Sequence, residues 1–293
     1  MTQSSGANAI PLDRDVNRIA NGVIAAENQF PYAVSLQENT PAAQQTATRG
    51  HRCGGALVTL GHVLTTASCL FETVNGVSVQ INPTQHRVFA GSSFLTNDTV
   101  ADRVRGIANF SIHPSYTGEP AFVNDIAIII LAARFLAATV TPLALPPANF
   151  NPPDFTLCQV AGWGATTPVT TASTELRFAN KYVYNQNLCT SLYNSQPGIP
   201  NIMPTMICAA SYDILSSGCV NDNGNALVCD GTLTGVLFVT DNCRSSSFPE
   251  LYTRVSNYTT WIQSVSASPS LFTPGVLVMT VLVSVTQLFV NKY

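Results

Sequence analysis

Short stretches in which apolar and polar residues alternate, punctuated by glycine, proline and asparagine, recur along the chain. A period of two predicts paired β-strands, and His86–Ala90 and Val104–Ile112 show it clearly. Leu233–Val239 and Leu251–Val255 predict two further strands near the end. Between the two groups, residues 139–155 carry Pro142, Pro146, Pro147, Pro152 and Pro153, which read as a crossover joining two β-rich halves. The last apolar block is different in kind. Leu271–Val290 holds no charge, and Gln287 is its one strongly polar side chain. As a helix it would extend about 30 Å, enough for a bilayer core.

Composition narrows the class. The 293 residues are 46% hydrophobic, long enough for one large or two fused cores. Lys plus Arg number 13 against 16 Asp plus Glu, with no basic run, so nucleic acid has no electrostatic footprint here. Eight cysteines indicate an oxidising compartment, and spacing alone leaves about 105 pairings open. No close Cys-x-x-Cys pair occurs and the four His are scattered, which argues against zinc. A calcium loop over Asn221-Asp222-Asn223-Gly224 is excluded because the EF-hand register puts Cys219 at the first ligand position. No metal or cofactor is expected.

Four motifs carry the chemistry. Arg18-Ile19-Ala20-Asn21-Gly22 precedes Gln29-Phe30-Pro31-Tyr32-Ala33-Val34-Ser35-Leu36. Cys53-Gly54-Gly55-Ala56-Leu57 is followed by Leu64-Thr65-Thr66-Ala67-Ser68-Cys69, and then by Asn124-Asp125-Ile126-Ala127. Cys158-Gln159-Val160-Ala161-Gly162-Trp163-Gly164 leads to Cys219-Val220-Asn221-Asp222-Asn223-Gly224-Asn225-Ala226-Leu227-Val228-Cys229. In order and spacing, Ile19 to about Ser264 resembles the chymotrypsin-like serine proteases of the trypsin (peptidase S1) family. It is most similar to catalytically inactive serine protease homologues of the insect type. The resemblance implies an all-β fold of two antiparallel Greek-key barrels closed by a short helix near Tyr258–Ser264. It also implies disulfides Cys53–Cys69, Cys158–Cys229, Cys189–Cys208 and Cys219–Cys243. In the chain-entropy account, such cross-links contribute roughly 3 to 4 kcal/mol each.

The same resemblance places the family's catalytic triad on Ser68, Asp125 and Asn223. Serine cannot accept and return a proton near neutral pH as imidazole does, and a carboxamide is no acyl-transfer nucleophile. His51, His62, His86 and His113 offer no replacement. The oxyanion-hole positions fall on Asn221 and Asn223, and the specificity-pocket positions on Ser217, Val239 and Glu250, so the pocket is expected to be narrowed and partly blocked. The bland alternative for Glu250 is a pairing with Arg244. Leu237 stands where a serine usually supports the catalytic Asp. Without its histidine, Asp125 is expected to take a hydrogen bond from Ser68. Cleavage after Arg18 would free an Ile19 ammonium to pair with Asp222, since a buried carboxylate without a partner is costly. Losing triad members costs on the order of 10⁶ in turnover, and one oxyanion donor about a further 10² to 10³.

The organisation expected is a leader over 1–18, a protease-homologue domain over 19–265 and a hydrophobic tail over 266–293. A secretory signal is expected upstream, because Met1–Ile10 has no apolar core. The tail fits a glycolipid-anchor signal or a single spanning helix, which puts the domain outside the cell, secreted or surface-attached. Sequons at Asn97, Asn109 and Asn257 agree with that route. The favoured function is a non-catalytic, monomeric binding or regulatory module. Its expected partner is an extracellular protein: an active protease, an inhibitor or a surface ligand. The alternative is a serine endopeptidase acting through an unrecognised arrangement.

Overall fold

A computed structural model of the chain describes residues 22–39, 46–167, 172–194, 201–212, 216–239 and 248–267. A two-residue strand β1 (Val23–Ile24) comes first and joins the second half of the molecule. Strands β2 (Ala33–Glu38), β3 (His51–Thr59) and β4 (His62–Thr65) follow, then a separate hairpin of β5 (Phe71–Val74) and β6 (Val77–Gln80). Next come β7 (His86–Ala90), β8 (Val104–Ile112) and β9 (Ala127–Leu131). Six of these close a barrel in the order β2-β3-β4-β9-β8-β7.

The second half contains β10 (Leu157–Gly162), β11 (Arg177–Val183), the helix α1 (Gln186–Asn194), β12 (Met206–Ala210), β13 (Ala226–Cys229), β14 (Thr232–Val239) and β15 (Glu250–Arg254). Their order is β11-β10-β13-β14-β15-β12, and pairing of β12 back onto β11 closes a second antiparallel barrel. The helix α2 (Thr259–Ser266) ends the described fold. The Pro-rich segment between β9 and β10 links the barrels and meets β14 at an isolated Ala144–Thr232 bridge.

Local chemistry explains these elements. In β8 the simple alternation breaks: Ile107 and Phe110 are both buried although three residues apart, because the register shifts between Ile107 and Asn109. An irregularity of that kind resets which residues face the core. Asn75 and Gly76, with φ of 52° and 79°, supply the left-handed turn that joins β5 to β6. One core lies inside the first barrel around Leu36, Leu57, Val88 and Ile129. A smaller one fills the second around Leu227, Leu237 and Tyr252. A third joins the barrels, where Phe30, Phe89, Ile128, Trp163, Val236 and Ile262 meet.

Residues 186–194 form α1, whose buried face is Cys189 and Tyr193. Asn185 starts it, its side chain accepting the Leu188 N–H at 3.0 Å. No helix among the described residues is long and apolar enough to cross a membrane. The expected leader and tail, with Arg18, Ile19 and Leu271–Val290, lie outside the described residues.

Candidate functional site

The two barrels meet along a cleft of about 730 Å³ lined by His51, Ser68, Phe122, Asn221, Asn223 and Phe238, among others. Ser68 opens a short turn immediately after β4, and the Cys53–Cys69 disulfide ties that turn to β3. Asp125 enters from the other side just ahead of β9. Asn124 before it has φ of 57°, and its side chain is held by Ser115 and by the Tyr258 hydroxyl.

Asp125 is fully buried. Its Oδ1 accepts the Ser68 N–H at 2.7 Å and its Oδ2 the Ser68 hydroxyl at 2.8 Å, as the expected Ser68 contact required. Burial nevertheless pushes its carboxyl up to about 6, against the pull of the hydrogen bonds from Ser68 and Ala67. Ser68 therefore acts as a donor into a fixed acid and has no basic nitrogen to offer the cleft. Asn223 lines the opposite wall, half-buried, with its carbonyl accepting the Gly54 N–H at 2.8 Å.

Among the described residues the cleft is lined by one imidazole, and it is engaged. His51 Nδ1 lies 2.7 Å from Ser35 Oγ and Nε2 3.1 Å from the Asn221 carbonyl. Burial pulls its pKa down to about 4. His62 pairs with Thr59, His86 with the Asn82 carbonyl, and His113 packs on Tyr258 and Trp261. Asn221 itself has φ of 71°, a left-handed conformation that asparagine adopts more readily than other non-glycine residues, and its amide reaches back toward His51 O.

Beneath the cleft, Asp222 is 1% exposed. Its Oδ1 accepts the Gly164 N–H at 3.0 Å and Asn225 Nδ2 at 2.8 Å, and its Oδ2 accepts the Cys219 N–H at 2.9 Å. All three donors are neutral, and burial raises the carboxyl to about 7. Asn225 is wedged tightly. A Cβ on Gly54 would fall 1.7 Å from its Oδ1, and one on Gly162 would fall 1.9 Å from its Nδ2. Only glycine at those two positions leaves room for it.

Two of the three residues expected in the specificity pocket are buried. Ser217 is fully buried, and Glu250 is 2% exposed. Glu250 Oε1 takes Lys181 Nζ at 3.1 Å and the Gly218 N–H, while Oε2 accepts the Tyr252 hydroxyl at 2.5 Å. Lys181 Nζ also donates to the Ser216 carbonyl at 2.6 Å. Lys181 is Glu250's partner; Arg244 lies outside the described residues. Neither Ser217 nor Glu250 reaches the cleft wall.

The family model for trypsin matches residues 19–262. The chain belongs to the trypsin family. Trypsin delta of Drosophila erecta is 30% identical over 250 residues, covering 84% of this chain and 87% of the relative. Trypsin alpha-4 of Lucilia cuprina is 30% identical over 255 residues, covering 86% and 88%. Among solved structures, human heparin binding protein has a TM-score of 0.67 at 27% identity and covers 85% of this chain and 97% of its own. Neuropsin, a serine protease expressed in the limbic system of mouse brain, has a TM-score of 0.67 at 27% identity, covering 84% and 98%.

Within the trypsin-family frame, the fold brings Ser68, Asn221 and Asn223 to one cleft, with Asp125 buried behind Ser68. Disulfides Cys53–Cys69, Cys158–Cys229 and Cys189–Cys208 form, and Cys219 is disulfide-bonded as well, its expected partner Cys243 lying outside the described residues. Val239 pairs with Leu251 in the sheet, and nothing further is described of its side chain. Leu237 is a correction. It faces the core of the second barrel, and its neighbour Phe238, on the opposite face of β14, occupies the cleft wall against Phe122. The sequons differ too: Asn109 and Asn257 are exposed, whereas the Asn97 amide donates to Ser92 Oγ at 2.9 Å. Lys181 and Asn225 were missed by sequence reasoning. Lys181 carries no local signal, but Asn225 interrupts the family's Gly-Gly pair and could have been noticed.

Proposed function

We propose that the chain is a non-catalytic member of the trypsin family that works outside the cell as a binding or regulatory module. The observation that carries this reading is the Ser68–Asp125 pair: the hydroxyl in the general-base position is spent as a donor to a buried acid, 2.8 Å away. Asn223 opposite it offers no ionisable proton. His51 keeps both nitrogens on Ser35 and Asn221, so proton transfer has no carrier in the cleft. The Glu250–Lys181 pair fills the place where a substrate side chain would normally be read.

One structural relative is named for binding heparin rather than for cleavage, in keeping with a binding role for this fold. With a net charge of −3 this chain has no polyanion footprint, so the partner proposed is a protein. Surface attachment through the 266–293 tail belongs to the same proposal. Release by a phosphatidylinositol-specific phospholipase would distinguish a lipid anchor from a spanning helix. The rival reading, a serine endopeptidase, rests on relatives that carry trypsin names.

A fluorophosphonate probe and a peptide library applied to protein cut after Arg18 test the choice. No labelling and no turnover are expected. Reproducible turnover from a preparation free of host protease overturns the proposal.

A further inference from the structure

On the outer side of the second barrel, β10 and β11 turn apolar side chains to solvent. Leu157 stands opposite Tyr182 across the two strands, and Gln159 stands opposite Asn180. The residues that alternate with them, Cys158, Val160, Lys181 and Val183, are buried. Tyr212, past the end of β12, holds its ring 5.4 Å from that of Tyr182, and Phe155, just ahead of β10, lies 5.9 Å from Tyr212. Phe155 is 67% exposed, and Leu157 and Tyr212 are each about half exposed. Single exposed apolar residues are ordinary, but a contiguous group of this size marks a contact surface. None of the four lines the cleft.

Phe155 carries a second sign. Its φ is 65°, in the left-handed region that a bulky side chain enters only under constraint. The constraint is local. Its N–H donates to the Val183 carbonyl at 2.8 Å, the Val183 N–H donates to the Thr156 carbonyl at 3.0 Å, and the Thr156 hydroxyl donates to the Pro153 carbonyl at 2.7 Å. Glycine would sit there without strain, and a ring mostly in water contributes little to the core. Strain kept at an exposed aromatic points to what that ring touches in a complex.

The ring geometry selects the partner. Neighbouring rings meet at 40° and 55°, which makes notches rather than one flat platform. A sugar ring stacks on a flat platform, whereas a puckered pyrrolidine ring fits a notch. A polyproline II helix rises 3.1 Å per residue, so its alternate residues stand about 6 Å apart, near the spacing of the rings. Its carbonyls have no internal partners, and its prolines have no N–H to satisfy. Such a ligand accepts hydrogen bonds without donating them. The Tyr182 and Tyr212 hydroxyls supply donors, neither being bonded among the described residues. Asp154, next to Phe155, is exposed and joins no ion pair among the described residues, its Oδ2 accepting only the Asn185 amide at 2.6 Å. Its charge is complementary to a cation on the ligand.

We infer that this face binds a proline-rich segment of an extracellular protein in the polyproline II conformation, its prolines against Phe155, Tyr212, Tyr182 and Leu157, with a basic residue of the segment at Asp154. The face is separate from the cleft, so the inference stands whether or not the cleft is catalytic.

The test titrates the full chain, by calorimetry, with acetyl-Arg-Pro-Pro-Pro-Pro-Pro-Pro-amide and with acetyl-Arg-Gly-Ser-Gly-Ser-Gly-Ser-amide, equal in length and charge. The proline peptide is expected to bind at least tenfold tighter. Citrulline in place of its arginine should weaken it about threefold and remove its dependence on salt. Phe155→Gly removes the ring and relieves the backbone, so affinity should fall at least tenfold while the thermal midpoint holds or rises. Leu157→Gln, at an exposed position outside that turn, should weaken binding about threefold and decides the matter if Phe155→Gly folds poorly. Equal binding of the two peptides, binding of neither, or an affinity untouched by both substitutions overturns the inference. Cellohexaose is titrated alongside, and an oligosaccharide that binds where the proline peptide does not assigns the face to glycans and overturns it as well.

Discussion

Replacing Asp222 with asparagine removes an ionisable group enclosed by Gly164, Cys219 and Asn225. Its folded-state value, about 7, lies above the ordinary 3.8 because burial disfavours the charge. A raised acid means that the folded protein holds its proton more tightly than the unfolded chain. The stability this contributes is complete below about pH 4 and is lost as pH climbs through about 7. Three units of difference correspond to roughly 4 kcal/mol. Asp125, raised to about 6, acts in the same direction with roughly 3 kcal/mol. Denaturant midpoints measured at pH 4.5, 6 and 8 with disulfides intact should therefore fall steadily in the wild type. Asp222→Asn places an amide N–H₂ against the Cys219 N–H and loses one hydrogen bond, about 1 kcal/mol at the acid end. It should lose less on going to pH 8, so the two profiles converge or cross. Cutting after Arg18 adds a decisive arm. An Ile19 ammonium on Asp222 would draw its pKa down and flatten the wild-type slope. A wild-type midpoint that rises with pH in uncut protein, or a parallel slope in Asp222→Asn, refutes the reasoning. Identical slopes in cut and uncut protein remove the switch.

Three further outcomes are expected. Ser68→His combined with Asn223→Ser should give no measurable hydrolysis of fluorogenic Arg or Lys peptides, because Glu250 and Lys181 still fill the substrate pocket; turnover comparable to that of an active trypsin would show the pocket to be open. Glu250→Ala should strand the Lys181 ammonium and cost about 3 to 5 kcal/mol by denaturant titration, while Lys181→Met with Glu250→Leu should cost far less. Asn225→Gly should lose about 1 to 3 kcal/mol, because it removes a donor to Asp222 and empties the space between Gly54 and Gly162; an unchanged midpoint would show that the wedge is not structural.

The frame was legible in the chain because its motifs are local and rigidly ordered. Cys53-Gly54-Gly55, Gly162-Trp163-Gly164 and the Cys219–Cys229 loop each place glycine where another backbone or side chain comes close, and such spacing survives in the sequence. The fate of the substrate pocket was only half legible. Glu250 could be seen to crowd it, but Lys181 lies 69 residues away on a different strand, and only the closing of β12 onto β11 and β15 brings the two together. The reading of Leu237 failed for a related reason. Neighbouring strand residues face opposite ways, and Leu237-Phe238-Val239 is apolar throughout, so nothing in the pattern marks which of them turns to the cleft.

The two acids that the site retains need no catalytic explanation. Asp125 accepts from the N–H groups of Ala67 and Ser68 and from the Ser68 hydroxyl, and Asp222 accepts from Gly164, Cys219 and Asn225. An apolar replacement at either position would leave those buried donors without acceptors, at about 1 to 3 kcal/mol for each. That penalty exceeds what drift can absorb in a marginally stable fold. Ser68 and Asn223 face the cleft, where water satisfies whatever replaces them, so no comparable penalty protects the two residues that do the chemistry in an active enzyme. The distinction is measurable with Asp125→Ala and Asp125→Asn. If Asp125 serves only its donors, alanine should cost well over twice what asparagine does in stability.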